Sequence, residues 1–151
     1  MKTLKDFLEV VGANYEPKEK TLLNINNKRF EIEDCLRKLI VKRDRLVYAG
    51  RLLGREKQVF VPSPWILEKV ASCEGTNKIH VDRETGWLFL CGRDVFEKNF
   101  KKVDGELNLG TFFLVLTEGN CLGYGKIETF NNILILRNIY DLGDFLRRER
   151  D

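Results

Sequence analysis

Leu4, Phe7, Leu8 and Val11 recur at intervals of three and four, so TLKDFLEVVG predicts a helix with one apolar face, stopped at Gly12. The period then changes to two. TLLNI and RFEIE flank Asn26-Asn27, which predicts a tight hairpin. Residues 33–41 return to helical spacing, with Leu36, Leu39 and Ile40 expected inward. RLVYAGRLL and QVFVP predict two further strands joined through Gly54-Arg55-Glu56-Lys57. Ser63 stands where it would cap a helix over 64–71 that begins with proline.

The polar stretch SCEGTN, residues 72–77, marks the expected boundary between an α/β unit over 1–75 and a second unit over 76–151. Beyond it, KIHVD and GWLFLC predict strands around the turn Arg83-Glu84-Thr85-Gly86. RDVFEKNF predicts a short helix and KKVDGELNLG a polar loop. TFFLVLT, CLGYGKI and NILILRN predict three strands, and DLGDFLRRER a closing helix with Leu142, Phe145 and Leu146 as its apolar face. The expected fold class is α+β, an α/β domain packed on a small closed β-barrel with flanking helices. Gly123 and Gly125 sit inside a strand pattern, where glycine marks a bulge, a bend or close backbone approach.

Composition narrows the class. Hydrophobic residues make up 43% and charged residues 32% of 151, the balance of a soluble globular chain. No apolar stretch approaches a membrane span and no signal-peptide pattern opens the chain, so an intracellular, cytoplasmic protein is expected. Cys35, Cys73, Cys91 and Cys121 form no C-x-x-C pair and are expected as buried free thiols. With one histidine, His80, and no paired cysteines, no metal site and no cofactor are expected.

Catalytic motifs fail on inspection. Gly123-Tyr124-Gly125 lacks a third glycine, and Gly105 to Gly110 has P-loop spacing but carries Thr111 where lysine is needed. The two serines, Ser63 and Ser72, lie outside G-x-S-x-G, and His80 in KIHVD has no matched partner. The expectation is a protein that is not an enzyme.

The basic residues carry more. The net charge is only +3, so any role with nucleic acid rests on local patches. Residues 37–57 hold eight Lys/Arg against Asp44 and Glu56, either a solvated rim or a docking surface. Arg93, Lys98, Lys101 and Lys102 cluster around the predicted short helix, and Arg147, Arg148 and Arg150 crowd the last turn. The terminal group also suits a helix C-terminus, with Asp144 four residues before Arg148. Two basic groups on two helices of one barrel predict a track for a phosphate backbone.

GWLFLCGRDVF and the paired-glycine strand CLGYGKI resemble a PUA domain, the RNA-binding pseudo-barrel of pseudouridine synthases and archaeosine transglycosylases. That likeness implies a strand ending at Gly92 with a helix starting at once, and RNA lying beside Gly92. RFEIEDCLRKL, RLVYAGRLLG, QVFVPSPWILEKVA and IYDLGDFLRRE extend the resemblance along nearly the whole chain to the Nip-type ribosome biogenesis factors, most closely their archaeal branch. Gly110-Thr111 departs from the Gly-Asp that many PUA domains place there. The resemblance implies a pre-PUA domain over 1–75 and a PUA domain over 76–151. It also implies a non-catalytic RNA-binding factor in large-subunit ribosomal RNA maturation. Ribosomal RNA precursor, rather than DNA or membrane, and pre-ribosomal assembly proteins docking on the N-terminal domain are its implied partners. Its expected RNA contacts are Gly92, Arg93, Lys98, Lys101, Lys102, Arg147, Arg148 and Arg150. The alternatives are an accessory subunit of a tRNA-modifying enzyme such as a transglycosylase, a stand-alone RNA-modifying enzyme using His80 or a cysteine, and a protein-binding scaffold.

Overall fold

A computed structural model describes residues 1–17, 21–33, 35–36, 40, 46–144 and 147. Helix α1 (Leu4–Val10) forms as its spacing predicts. Thr3 and Asp6 cap it reciprocally, each side chain accepting the other's backbone N–H. Strands β1 (Leu22–Ile25) and β2 (Lys28–Glu31) pair across Asn26 and Asn27, whose φ values of 48° and 62° suit the right-handed twist of a two-residue hairpin. With β3 (Arg51–Arg55) and β4 (Val61–Pro62) they make a four-stranded sheet in the order β1-β2-β3-β4. Helix α2 (Pro64–Ala71) follows, and Ser63 Oγ accepts the Ile66 N–H at 3.3 Å.

Two expectations change in this half and a third lies largely outside the described residues. β3 begins only at Arg51, and Gly54 and Arg55 belong to it, so the connection to β4 runs over 56–60. The helix expected over 33–41 falls largely outside the described residues. Leu36, expected inward, is exposed.

The second half contains β5 (Lys78–His80), α3 (Arg83–Leu90), β6 (Val95–Phe96), a 3-10 turn (Glu97–Asn99) and β7 (Lys102–Asp104). The long strands β8 (Phe112–Thr117), β9 (Asn120–Phe130) and β10 (Ile133–Asp141) complete it. One curled six-stranded sheet runs β6-β10-β9-β8-β5-β7, with β5 and β8 parallel. It is a half-barrel with β6 and β7 as edges, not the closed barrel expected.

Three local readings are corrected here. GWLFLC is not a strand but the body of α3. A short unbroken apolar run does not distinguish buried strand from helix, and Asp82 decides the matter by accepting the Thr85 N–H at 2.9 Å as N-cap. RDVFEKNF is a two-residue strand and a 3-10 turn, because Val95 and Phe96 pair with Leu136 and Ile135 of β10. The polar loop contains β7, pairing with β5 from Lys78–Asp104 to His80–Lys102. Sheet partners overrode local propensity in both places. The closing helix falls mostly outside the described residues, Phe145 and Leu146 included; within it, the Arg147 N–H donates to the Gly143 carbonyl at 3.2 Å.

One apolar cluster joins the two halves. Phe7, Leu8, Phe60, Ile66, Leu67 and Val70 pack with Leu114, Leu116, Cys121 and Tyr124. Tyr124 is fully buried, its ring centroid 5.3 Å from that of Phe7, and its hydroxyl donates to the Phe60 carbonyl at 3.1 Å. That bond pairs a carbonyl which burial would otherwise leave unsatisfied. A second cluster fills the half-barrel beneath α3, with Ile79, Phe89, Phe113, Val115, Ile127 and Leu136. Of the four free cysteines only Cys121 is buried, contrary to expectation; Cys35 and Cys91 are exposed.

The paired glycines lie where β9 curls. Pairing with β10 slips between Asn138 and Tyr140, opposite Gly125 and Tyr124. A Cβ on Gly125 would stand 2.5 Å from the Arg137 carbonyl oxygen and 2.7 Å from Leu136 Cγ. On Gly123, at φ 153°, a Cβ would overlap the Tyr140 carbonyl. Close approach of two backbones at a bulge is therefore the reason for both residues.

Candidate nucleic-acid interface

The basic residues of the second half are organised by α3. Its buried side, Thr85, Gly86 and Phe89, packs on the sheet, with Gly86 against Thr117 and Leu122. At its N-terminus Lys101 Nζ lies 3.0 Å from Asp82 Oδ2, and Arg83 reaches Glu118 at 3.2 Å. Hydrogen bonds from the Thr85 side chain and N–H, with help from Lys101, hold the Asp82 carboxyl down at about 2. Acceptance at a helix N-terminus stabilises the charged form.

At the C-terminus the order of elements is the reverse of the one expected. α3 ends at Leu90, just before Gly92, and a strand follows, so no helix begins there. Gly92 has φ 83° and donates its N–H to the Phe89 carbonyl at 2.9 Å, a left-handed helix stop that favours glycine. Its open face is occupied from within. Arg147 Cζ would lie 3.4 Å from a Cβ at this position.

Arg147 itself is tied inward. Its two terminal nitrogens meet Asp141 at 2.9 and 2.8 Å, and Nη1 also donates to the Leu90 carbonyl at 2.5 Å. Asp141 is 1% exposed and accepts from Asn138 Nδ2 as well. The Asp141 pairing raises the already high Arg147 pKa. This is a bidentate fork closing the end of the half-barrel.

The remaining cations differ in their freedom. Arg93 and Lys98 are exposed and have no ion-pair partner among the described residues. Lys102 is exposed but pairs with Asp104 at 2.8 Å, and Lys101 is held by Asp82. His80 Nε2 lies 3.0 Å from Asp104, and Lys102 followed by His80 lowers the Asp104 pKa. Arg148 and Arg150 lie outside the described residues, as do Arg37, Lys38, Lys42, Arg43 and Arg45 of the basic stretch. Arg51, from that stretch, stacks 4.3 Å over the Trp65 ring. The structure thus sets Lys101 at one end of α3 and Arg93 at the other, with Lys98 in the turn between β6 and β7. It separates Arg147 from them by giving it a buried partner.

Sequence reasoning did not single out Arg83 and Trp87, which the strand reading placed in a turn and at the start of a strand. Asp82 before an apolar run was the signal that could have found them. Among the described residues no His, Cys, Asp and Glu cluster is arranged to hold a metal ion.

Residues 77–150 match the family model described as the UPF0113 PUA domain. The fold is similar to a solved structure described as a conserved PUA domain protein from Thermoplasma acidophilum. That match has a TM-score of 0.59 and 17% identity, and covers 96% of this chain and 92% of the other. At that identity the likeness is one of fold. No curated protein matches the chain.

Proposed function

We propose, from the premise of a PUA domain at residues 77–150, that the protein is a non-catalytic RNA-binding factor of large-subunit ribosome biogenesis, acting in the cytoplasm on ribosomal RNA precursor. The observation that carries the RNA part is a PUA domain whose helix α3 has Lys101 at one end and Arg93 at the other, with Lys98 in the turn between β6 and β7. Arg93 and Lys98 are exposed and without an ion pair among the described residues. Arg93 and Lys98 bind phosphate directly, and Lys101 and Lys102 share their charge with Asp82 and Asp104. Arg148 and Arg150, outside the described residues, are kept as contacts on the sequence resemblance alone. The Nip-type assignment rests on the sequence resemblance and on a fold likeness that covers both halves of the chain. The N-terminal half, as pre-PUA domain, docks proteins of the pre-ribosome.

Crosslinking the protein to RNA in cells and sequencing the fragments tests this reading. Recovery of large-subunit precursor RNA supports it; recovery of tRNA with a transglycosylase subunit replaces it with the accessory-subunit reading. In vitro, changing Arg93 and Lys98 to alanine should flatten the slope of log affinity against log salt by about 1.4 on single strands, at about 0.7 per contact. The loss should be alike across RNA sequences, because phosphate contacts position without specifying.

A further inference from the structure

We infer that Trp87 is a stacking platform for an unpaired RNA base; this rests on the RNA-binding reading and adds a base contact to it. Trp87 is 64% exposed and Leu88 46%, although both lie in a helix whose next residue, Phe89, is fully buried. The indole therefore serves neither core cluster. Cations stand on both sides, Arg93 unpaired among the described residues, Arg83 and Lys101 in surface ion pairs with Glu118 and Asp82. Arg83 stands one helical turn before it, Lys101 is fixed at the N-cap, and Arg93 follows the C-terminal turn. The helix between them is only roughly 12 Å long at 1.5 Å per residue. A backbone held by phosphates at both ends must pass its intervening bases over the outer face of α3. There the indole offers a π-face that any base can use.

The small apolar area selects this occupant over a protein. Trp87 and Leu88 are two apolar side chains set among Arg83, Glu84 and Arg93, far less than the apolar centre of a protein interface. One exposed aromatic ring on a helix that ends beside the unpaired Arg93 suits a nucleotide, which presents one ring and one phosphate at a time.

The probe is a single-stranded oligouridylate or oligoadenylate of about 12 nucleotides, within the usual span of such sites. In a Trp65→Phe protein, Trp87 is the sole indole, and its fluorescence should fall as the oligonucleotide binds. Trp87→Ala should weaken binding by about 5- to 150-fold with the salt slope unchanged, and Trp87→Phe should retain most of the affinity. An oligonucleotide without bases should bind wild type and Trp87→Ala equally. Wild type that binds RNA with unquenched Trp87 and an Ala variant of full affinity overturns the inference but leaves the RNA reading intact, and transfers the indole to a protein partner. Wild type that binds no RNA overturns the reading itself.

Discussion

Replacing Arg147 with methionine keeps the length of the side chain and removes the fork that holds Asp141. Breaking a buried ion pair from one side costs about 3–5 kcal/mol, because the remaining charge stays desolvated. Two features reduce that here. Asn138 Nδ2 still donates to Asp141 at 3.0 Å, and the Arg147 side chain is 39% exposed, so water can enter where it stood. We expect a loss of about 2–3 kcal/mol, or a melting temperature lower by roughly 4–12 °C. Urea unfolding followed by circular dichroism measures it, and Asp141→Asn in the same chain should recover part of the loss, since the two residues form one unit. RNA affinity should keep its wild-type salt slope, because this guanidinium is tied to a buried carboxylate, unlike the surface pairs of Lys101 and Lys102. Wild-type stability combined with a slope reduced by about 0.7 would refute this reasoning and return Arg147 to the phosphate contacts expected from sequence.

Gly125→Val should destabilise by a few kcal/mol, on the order of the cost of overpacking, because its Cβ would press on the Arg137 carbonyl and Leu136; an unchanged urea midpoint would remove the close-approach argument. Burial pushes the Cys121 thiol up to about 12, so a maleimide at neutral pH should label Cys35 and Cys91 at once and Cys121 only in denaturant. Mass spectrometry of the labelled peptides reads the difference, and Cys121 reacting in native buffer would contradict the packing. Asp82 is depressed to about 2 from 3.8, so its stabilisation is complete above pH 3.8 and fades as pH falls toward 2. Asp82→Asn should therefore make the melting temperature less sensitive to pH across that window; an identical pH profile would show the carboxylate to be idle.

Where one physical signal dominated, the sequence was readable. The amphipathic α1, the Asn26-Asn27 hairpin and the Ser63 cap are local decisions, and all three appear as expected. The paired glycines were legible as a need for close approach, though not which carbonyl lay opposite. Residues 83–104 were misread throughout, because their states depend on partners distant in sequence. β7 exists through β5, β6 through β10, and Phe89 reads as helix only once Asp82 is seen as a cap. The site residues expected from sequence were chosen without sight of these partners. Arg93 and Lys98 could be named from charge alone, but the burial of Asp141 that claims Arg147 is a tertiary fact. Trp87 drew no notice because a strand reading of GWLFLC does not set it apart from its apolar neighbours.

The tyrosine that joins the two halves also sets a timetable for synthesis. Phe7, Phe60 and Leu67 leave the ribosome long before Leu114, Cys121 and Tyr124, which cover them in the finished protein. Until β9 emerges, the first half carries an open apolar face and an unpaired Phe60 carbonyl. Early sheet pairing can proceed, since β1 to β4 need only one another. The apolar face cannot close before then. A nascent chain stalled near residue 110 should thus be a better chaperone substrate than one stalled after 141, with the hazard concentrated in a single interval of translation.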